Sequence, residues 1–154
     1  MSNGGSSFIM EYIKKFELTS DSLQNTTVDQ SFMDSENFES VAPESMLTQT
    51  GYLTITSYDV ISKQFTLDFP NREVESEFSM LIVHSYWNVL STDPLGVNDT
   101  FLNAVSSNNT DVVIEHFIVN CSGIPHPPFS NMNEDFYHSL IYCNLLGCGF
   151  DCLS

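Results

Sequence analysis

Basic residues are what this chain has least of: Lys14, Lys15, Lys63 and Arg72 stand against 20 acidic residues, for a formal net charge of −16. Affinity for nucleic acid is built mainly from Lys and Arg contacts to phosphate, so a surface this acidic repels DNA and RNA. Long apolar runs are missing too. None approaches the roughly 20 residues that span a bilayer, and "MSNGGSSFIMEYIKKF" lacks the basic-then-apolar order of a signal peptide. Cysteine is absent before Cys121; Cys121, Cys143, Cys148 and Cys152 crowd into the last quarter. Without a secretory signal the expectation is reduced thiols and a cytoplasmic protein. The four Asn-x-Ser/Thr sequons, at Asn25, Asn98, Asn108 and Asn120, are what so much Asn, Ser and Thr gives by chance.

Chemical motifs are equally scarce. No Gly-rich phosphate loop ends in Lys and Ser or Thr, and no Asp-x-Lys or Glu-x-Lys, G-x-S-x-G or H-E-x-x-H occurs. His84, His116, His126 and His138 are scattered singly, as surface or core-edge histidines are. Cys143, Cys148 and Cys152, with His138 before them, invite a zinc reading, but no C-x-x-C knuckle is present and buried thiols on an apolar helix explain them. Glu134, Asp135 and His138 are the candidates for acid–base or metal chemistry. A capping box at the start of their helix explains the carboxylates equally well.

What the chain does have is 154 residues, 42% of them hydrophobic, enough for one ordinary domain with a real core. "SSFIMEYIKKF" spaces Phe8, Ile9, Tyr12, Ile13 and Phe16 as a helix, with Ser6 or Ser7 as cap and two lysines in the last turn. Residues 18 to 44 read as an extended connector with single apolar anchors and at most a short strand. Pro43 opens a short helix that Gly51 ends. "YLTITSYD" and "KQFTLDFP" alternate around a polar turn as an antiparallel hairpin with one apolar face, Leu53, Ile55 and Tyr58 opposite Phe65, Leu67 and Phe69. Pro70 ends the second strand, and Asn71 caps a helix with Glu73 and Glu75 in its first turn and Val74, Phe78, Leu81, Ile82 and Val89 on its apolar side. Further helices are expected at "TFLNAVSSN", at "TDVVIEHFIVNCSGIP" with Val113, Phe117, Cys121, Ile114 and Ile118 as its packing face, and at "NEDFYHSLIYCNLLGCG". A Pro-rich linker, "IPHPPFSNMN", precedes the last of these. "FDCLS" begins like a strand, so the expectation is of a sequence cut there. The fold class is α+β, mostly helical with one antiparallel hairpin.

"TQTGYLTITSYD" followed by "FTLDFPNREVESEF" resembles the linker region of bacterial AAA-ATPase-like proteins that carry a C-terminal PD-(D/E)XK nuclease domain. "SNGGSSFIMEYIKKF" is similar to that family's turn and helix after the ATPase core, and "EDFYHSLIYCNLLGCGFD" to the first helix of its nuclease domain. The resemblance implies three regions: 1–90 as the end of the ATPase-like module with a winged-helix-like hairpin, 91–130 as a helical linker, and 131–154 as the start of a truncated nuclease-like domain. It implies that Gly51, Tyr52, Pro70, Asn71 and Glu73 are a hairpin signature, that Tyr137 and His138 match the nuclease first helix, and that Glu134 is the acidic residue such helices sometimes contribute. ATP and Mg are implied for the full-length parent and no cofactor or metal for this chain. Its partners would be the parent's other domains. The Pro-rich linker and the cysteine-rich tail depart from the family pattern. The hairpin carries Asp59, Lys63 and Asp68, too acidic a wing for DNA, so packing between domains is its expected role. The competing expectation is a free-standing acidic module that binds a basic protein or mimics DNA.

Overall fold

Pro70 cannot donate to a strand ladder and Asn71 can accept from a helix start, so the chain must turn from sheet to helix between them. The computed structural model, which describes residues 3–34, 41–87, 99–124 and 133–150, has the Asn71 Oδ1 accepting from the Val74 amide at 3.0 Å. The elements in chain order are α1 (Asn3–Phe16), α2 (Ser20–Leu23), β1 (Thr26–Asp29), a 3-10 turn (Gln30–Met33), α3 (Pro43–Gln49), β2 (Thr54–Asp59), β3 (Gln64–Asp68), α4 (Arg72–Tyr86), α5 (Asp99–Ser106), α6 (Thr110–Ser122) and α7 (Glu134–Gly147). The fold is α+β and mostly helical, as expected. The expected helical continuation to Val89, the Pro-rich linker and the strand start at "FDCLS" fall on residues 88–98, 125–132 and 151–154, outside the described ones.

The sheet is larger than one hairpin. β1 pairs antiparallel with β3, giving three strands in the order β1-β3-β2 with the second hairpin strand in the middle. Thr26, Val28 and Leu67, Phe65 form the cross-strand pairs. A bulge at Thr56 shifts the β2 register between Ile55 and Ser57, a device that bends an edge strand. Leu53 and Leu67 are buried, whereas Ile55 and Tyr58, expected on the same apolar face, lie exposed along that edge.

Helix ends are closed by local chemistry. α3 and α7 each finish in a paired bond pattern with a left-handed glycine: Tyr52 N–H to Leu47 O (2.9 Å) with Gly51 at φ +85°, and Phe150 N–H to Leu145 O (3.0 Å) with Gly149 at φ +84°. α1 ends the same way with Glu17 at φ 50°, the Leu18 amide reaching Ile13 O at 3.0 Å. Helix α1 starts at Asn3, so the serines expected to cap it lie within it. At the start of α7 the Asn133 side chain accepts from the Phe136 amide (3.1 Å). The third helical position is Phe136, so a capping box does not form and Glu134 and Asp135 act on the positive helix end alone.

The core is organised around α4, whose Phe78, Ile82 and Tyr86, with Ser79 and Val83, recur at helical spacing and are all buried. Phe78 sits between Tyr52 and Phe69, with ring centroids at 5.1 and 5.8 Å. Tyr86 meets the Phe136 ring edge-on at 4.9 Å and donates its hydroxyl to Ile13 O at 3.1 Å, tying α4 to α7 and α1 at once. Helix α7 supplies Phe136, Leu140 and Cys143 to this same core. The α4–α7 crossing is close: a Cβ on Gly147 would run into the Met80 side chain and stand 3.5 Å from the Met80 backbone nitrogen. Ser76 satisfies the end of α7 by donating to Leu146 O at 3.0 Å.

Two substitutions test these statements by urea unfolding. Asn71→Ala removes the α4 cap and is expected to lose about 1 kcal/mol; no change in midpoint would mean the cap contributes nothing. Asn144 is fully buried and neither amide atom has a hydrogen-bond partner among the described residues. Replacing an unpaired buried amide by a side chain of similar shape removes its desolvation penalty, on the order of 1–3 kcal/mol. Asn144→Leu is therefore expected to raise the midpoint, and a fall would show that Asn144 has a partner.

Candidate functional site

Helix α7 carries the residues singled out for chemistry, but its geometry sends them outward. Glu134 and His138, four residues apart, approach to 4.0 Å with their side chains 87% and 72% exposed. At that exposure a carboxylate–imidazole pair is screened by water. Tyr137 is half-buried, against Phe136 at 5.5 Å. Among the described residues no group of three or more His, Cys, Asp and Glu is placed to hold a metal ion.

The hairpin-signature residues gather at the sheet-to-helix joint. Gly51 supplies the left-handed turn, the Tyr52 ring packs at a tilt against Phe78, Pro70 and Asn71 lead into α4, and Glu73 points to solvent in its first turn. Beside them lies a cleft of about 390 Å³ lined by Gln24, Asp68, Phe69, Asn71, Arg72, Glu75, Tyr142 and Leu146. Its polar groups are engaged with one another: the Gln24 amide donates to the Glu75 carboxylate, and Asp68 accepts from the Phe69 amide at 2.8 Å.

A second cleft, of about 410 Å³, opens where α4 meets the end of α7, with Tyr52, Ser76, Glu77, Met80, Leu81, His84 and Gly147 around it. Burial pushes the Tyr52 phenol above its usual range, and the Glu77 carboxylate adds to the shift. Burial alone pushes His84 down, which favours the neutral imidazole. Ser76 is committed to Leu146 O. This arrangement can offer hydrogen bonds and apolar contact; nothing in it activates a nucleophile.

Sequence reasoning missed two groupings. The Ser20 and Ser79 hydroxyls meet at 2.7 Å, with the Cys143 thiol 3.5 Å from Ser20, joining α2, α4 and α7 through a buried polar contact. Burial lifts the Cys143 thiol to about 11, so it stays protonated and inert. His116 on α6 lies over Phe101 at 4.0 Å and edge-on to Trp87 at 5.7 Å, and burial lowers its pKa. The signal for the first was small polar residues at core spacing, which reads like solvent-facing sequence; for the second it was a lone histidine on an otherwise apolar helix. Comparison with protein-family models, with curated proteins and with solved structures finds no match.

The histidine shifts set a pH dependence. His84 and His116 bind protons less readily folded than unfolded, so the unfolded chain gains protons as pH falls below about 6.5. The stability is whole above that pH and is lost as pH falls toward the folded pKa values. Between pH 7 and 5.5 the melting temperature is expected to fall more steeply for the native chain than for a His84→Gln, His116→Gln double variant. Equal slopes would assign the fall to other groups.

Proposed function

We propose that this chain is a non-catalytic packing module, the inter-domain region of a larger ATPase-linked, PD-(D/E)XK nuclease-type protein. ATP and Mg serve the parent elsewhere, and the chain's partners are the parent's other domains. One observation carries the reading. At the β2–β3 turn the Asp59 carboxylate accepts from the amides of Ile61 (2.8 Å) and Ser62 (3.3 Å), and Lys63 takes the left-handed conformation at φ 56°. Those bonds hold the Asp59 pKa low and fix a turn that projects Val60 and Ile61 outward, Ile61 being 95% exposed. Burying such a pair against a neighbouring domain is worth about 1.5–3 kcal/mol per side chain. An ordered turn built to display two aliphatic residues supports contact with protein, as an acidic wing supports contact with something other than DNA.

The free thiols Cys121, Cys143 and Cys148 agree with work in the reducing cytoplasm. Among the described residues no helix is long and apolar enough to cross a membrane. The test is the complete coding frame read from an intact transcript. It is expected to run upstream into a Gly-rich phosphate loop and downstream into a strand with Asp and then Glu-x-Lys. In that longer protein, Val60→Ser with Ile61→Ser is expected to loosen the neighbouring domain, seen as faster limited proteolysis at its boundary. A frame closed by stop codons on both sides of this chain would sink the proposal.

A further inference from the structure

Helix α6 buries none of its residues, although seven of its 13 positions from Val112 to Cys121 are apolar. One side rests against the core through Phe117 and Cys121. The other shows Ile114, Ile118 and Val119 to solvent at 54%, 62% and 63% exposure. The sequence spacing expected Ile114 and Ile118 in the packing face; the structure turns them away from it.

The order of residues on that outer side matters. At 100° per residue, Ile114 and Ile118 form one ridge, Asp111 and Glu115 a second ridge beside it, and Val119 lies on the far flank. Neither α5 nor α6 contains a Lys or Arg, all four basic residues lying at or before Arg72. The outer face is thus an acidic strip flanked by aliphatic side chains, with no internal cation to neutralise it. A second copy of the chain is a poor occupant, because it would set Asp111 and Glu115 against their own equivalents on a molecule of charge −16. An anionic membrane surface is repelled for the same reason.

We infer that the outer face of α6 is a docking surface for a basic amphipathic helix of a partner protein. Its apolar residues straddle the Ile114–Ile118 ridge, and its Lys or Arg side chains meet Asp111 and Glu115. The inference deepens the packing-module reading but does not depend on an ATPase–nuclease parent: the reading frame decides the parentage, and the binding measurement below is independent of it.

The test uses the full chain and a synthetic Lys/Leu peptide of about five helical turns with leucines at helical spacing. A scrambled peptide of the same composition is the control. Calorimetric titration is expected to show binding to the patterned peptide only. Ile114→Ser with Ile118→Ser should weaken it by at least about tenfold. Asp111→Asn with Glu115→Gln should weaken it several-fold at low salt and little at high salt. These positions are exposed, so unchanged thermal melts are expected to confirm folding, and Val60→Ser with Ile61→Ser should leave binding intact. Equal binding of the scrambled peptide, insensitivity to the α6 substitutions, or loss through the hairpin-tip variant would overturn the inference. So would a dimer in sedimentation velocity that Ile118→Asp disperses, since that assigns the face to a second copy.

Discussion

Burial of one side of α4 governs the arrangement of nearly everything else. Phe78 can leave water only if Tyr52 and Phe69 close over it from the two sides of the hairpin. Tyr86 can do so only if its hydroxyl finds an acceptor, which the end of α1 supplies, and if Phe136 presents its ring edge. The hairpin, α1 and α7 are therefore held in one core by two aromatic residues eight apart on a single helix. Small residues set how near the neighbours come: Ser76, Ser79 and Gly147 let α7 lie close, and the two serine hydroxyls satisfy groups that apolar packing would strand.

The outside of the molecule follows a different rule. Acidic charge dominates it, while the residues that carry chemistry in many enzymes are either solvated, like the Glu134–His138 pair, or shifted toward their neutral forms by burial, like His84, His116 and Cys143. Apolar side chains are nevertheless displayed, among the described residues most fully at the fixed hairpin tip and on the outer side of α6. Exposed aliphatic residues on ordered backbone, set in an acidic surface, are what the proposed contact role rests on.

Much of this was legible in the residues themselves. Pro70–Asn71, Pro43 and Gly51 are local devices whose effect depends on φ and on one hydrogen bond, so the boundaries of β3, α3 and α4 could be placed from them. The alternation from Phe65 to Phe69 and the helical spacing of Phe78 and Ile82 identified the core face because period and burial coincide there, whereas Tyr86 on the same face was not picked out. β1 was harder to see: four residues with one Val give too short an alternation to stand apart from a polar connector, and its strand state comes from pairing with β3.

What the sequence by itself determined is the class of the fold, the turn at Gly51, the strand end and helix cap at Pro70–Asn71, and the net charge that sets it against nucleic acid, because each of these is a property of neighbouring residues or of a sum. Only the tertiary structure decided which apolar residues stay in water. Helix α6 is apolar on most sides, so periodicity has no phase to report, and the side that packs is chosen by where Phe101 and Trp87 meet His116 and Phe117. That choice leaves Ile114 and Ile118 outside. The same holds for Ile55, whose alternation fits an inner face but which sits half in water on the edge strand, beside the bulge.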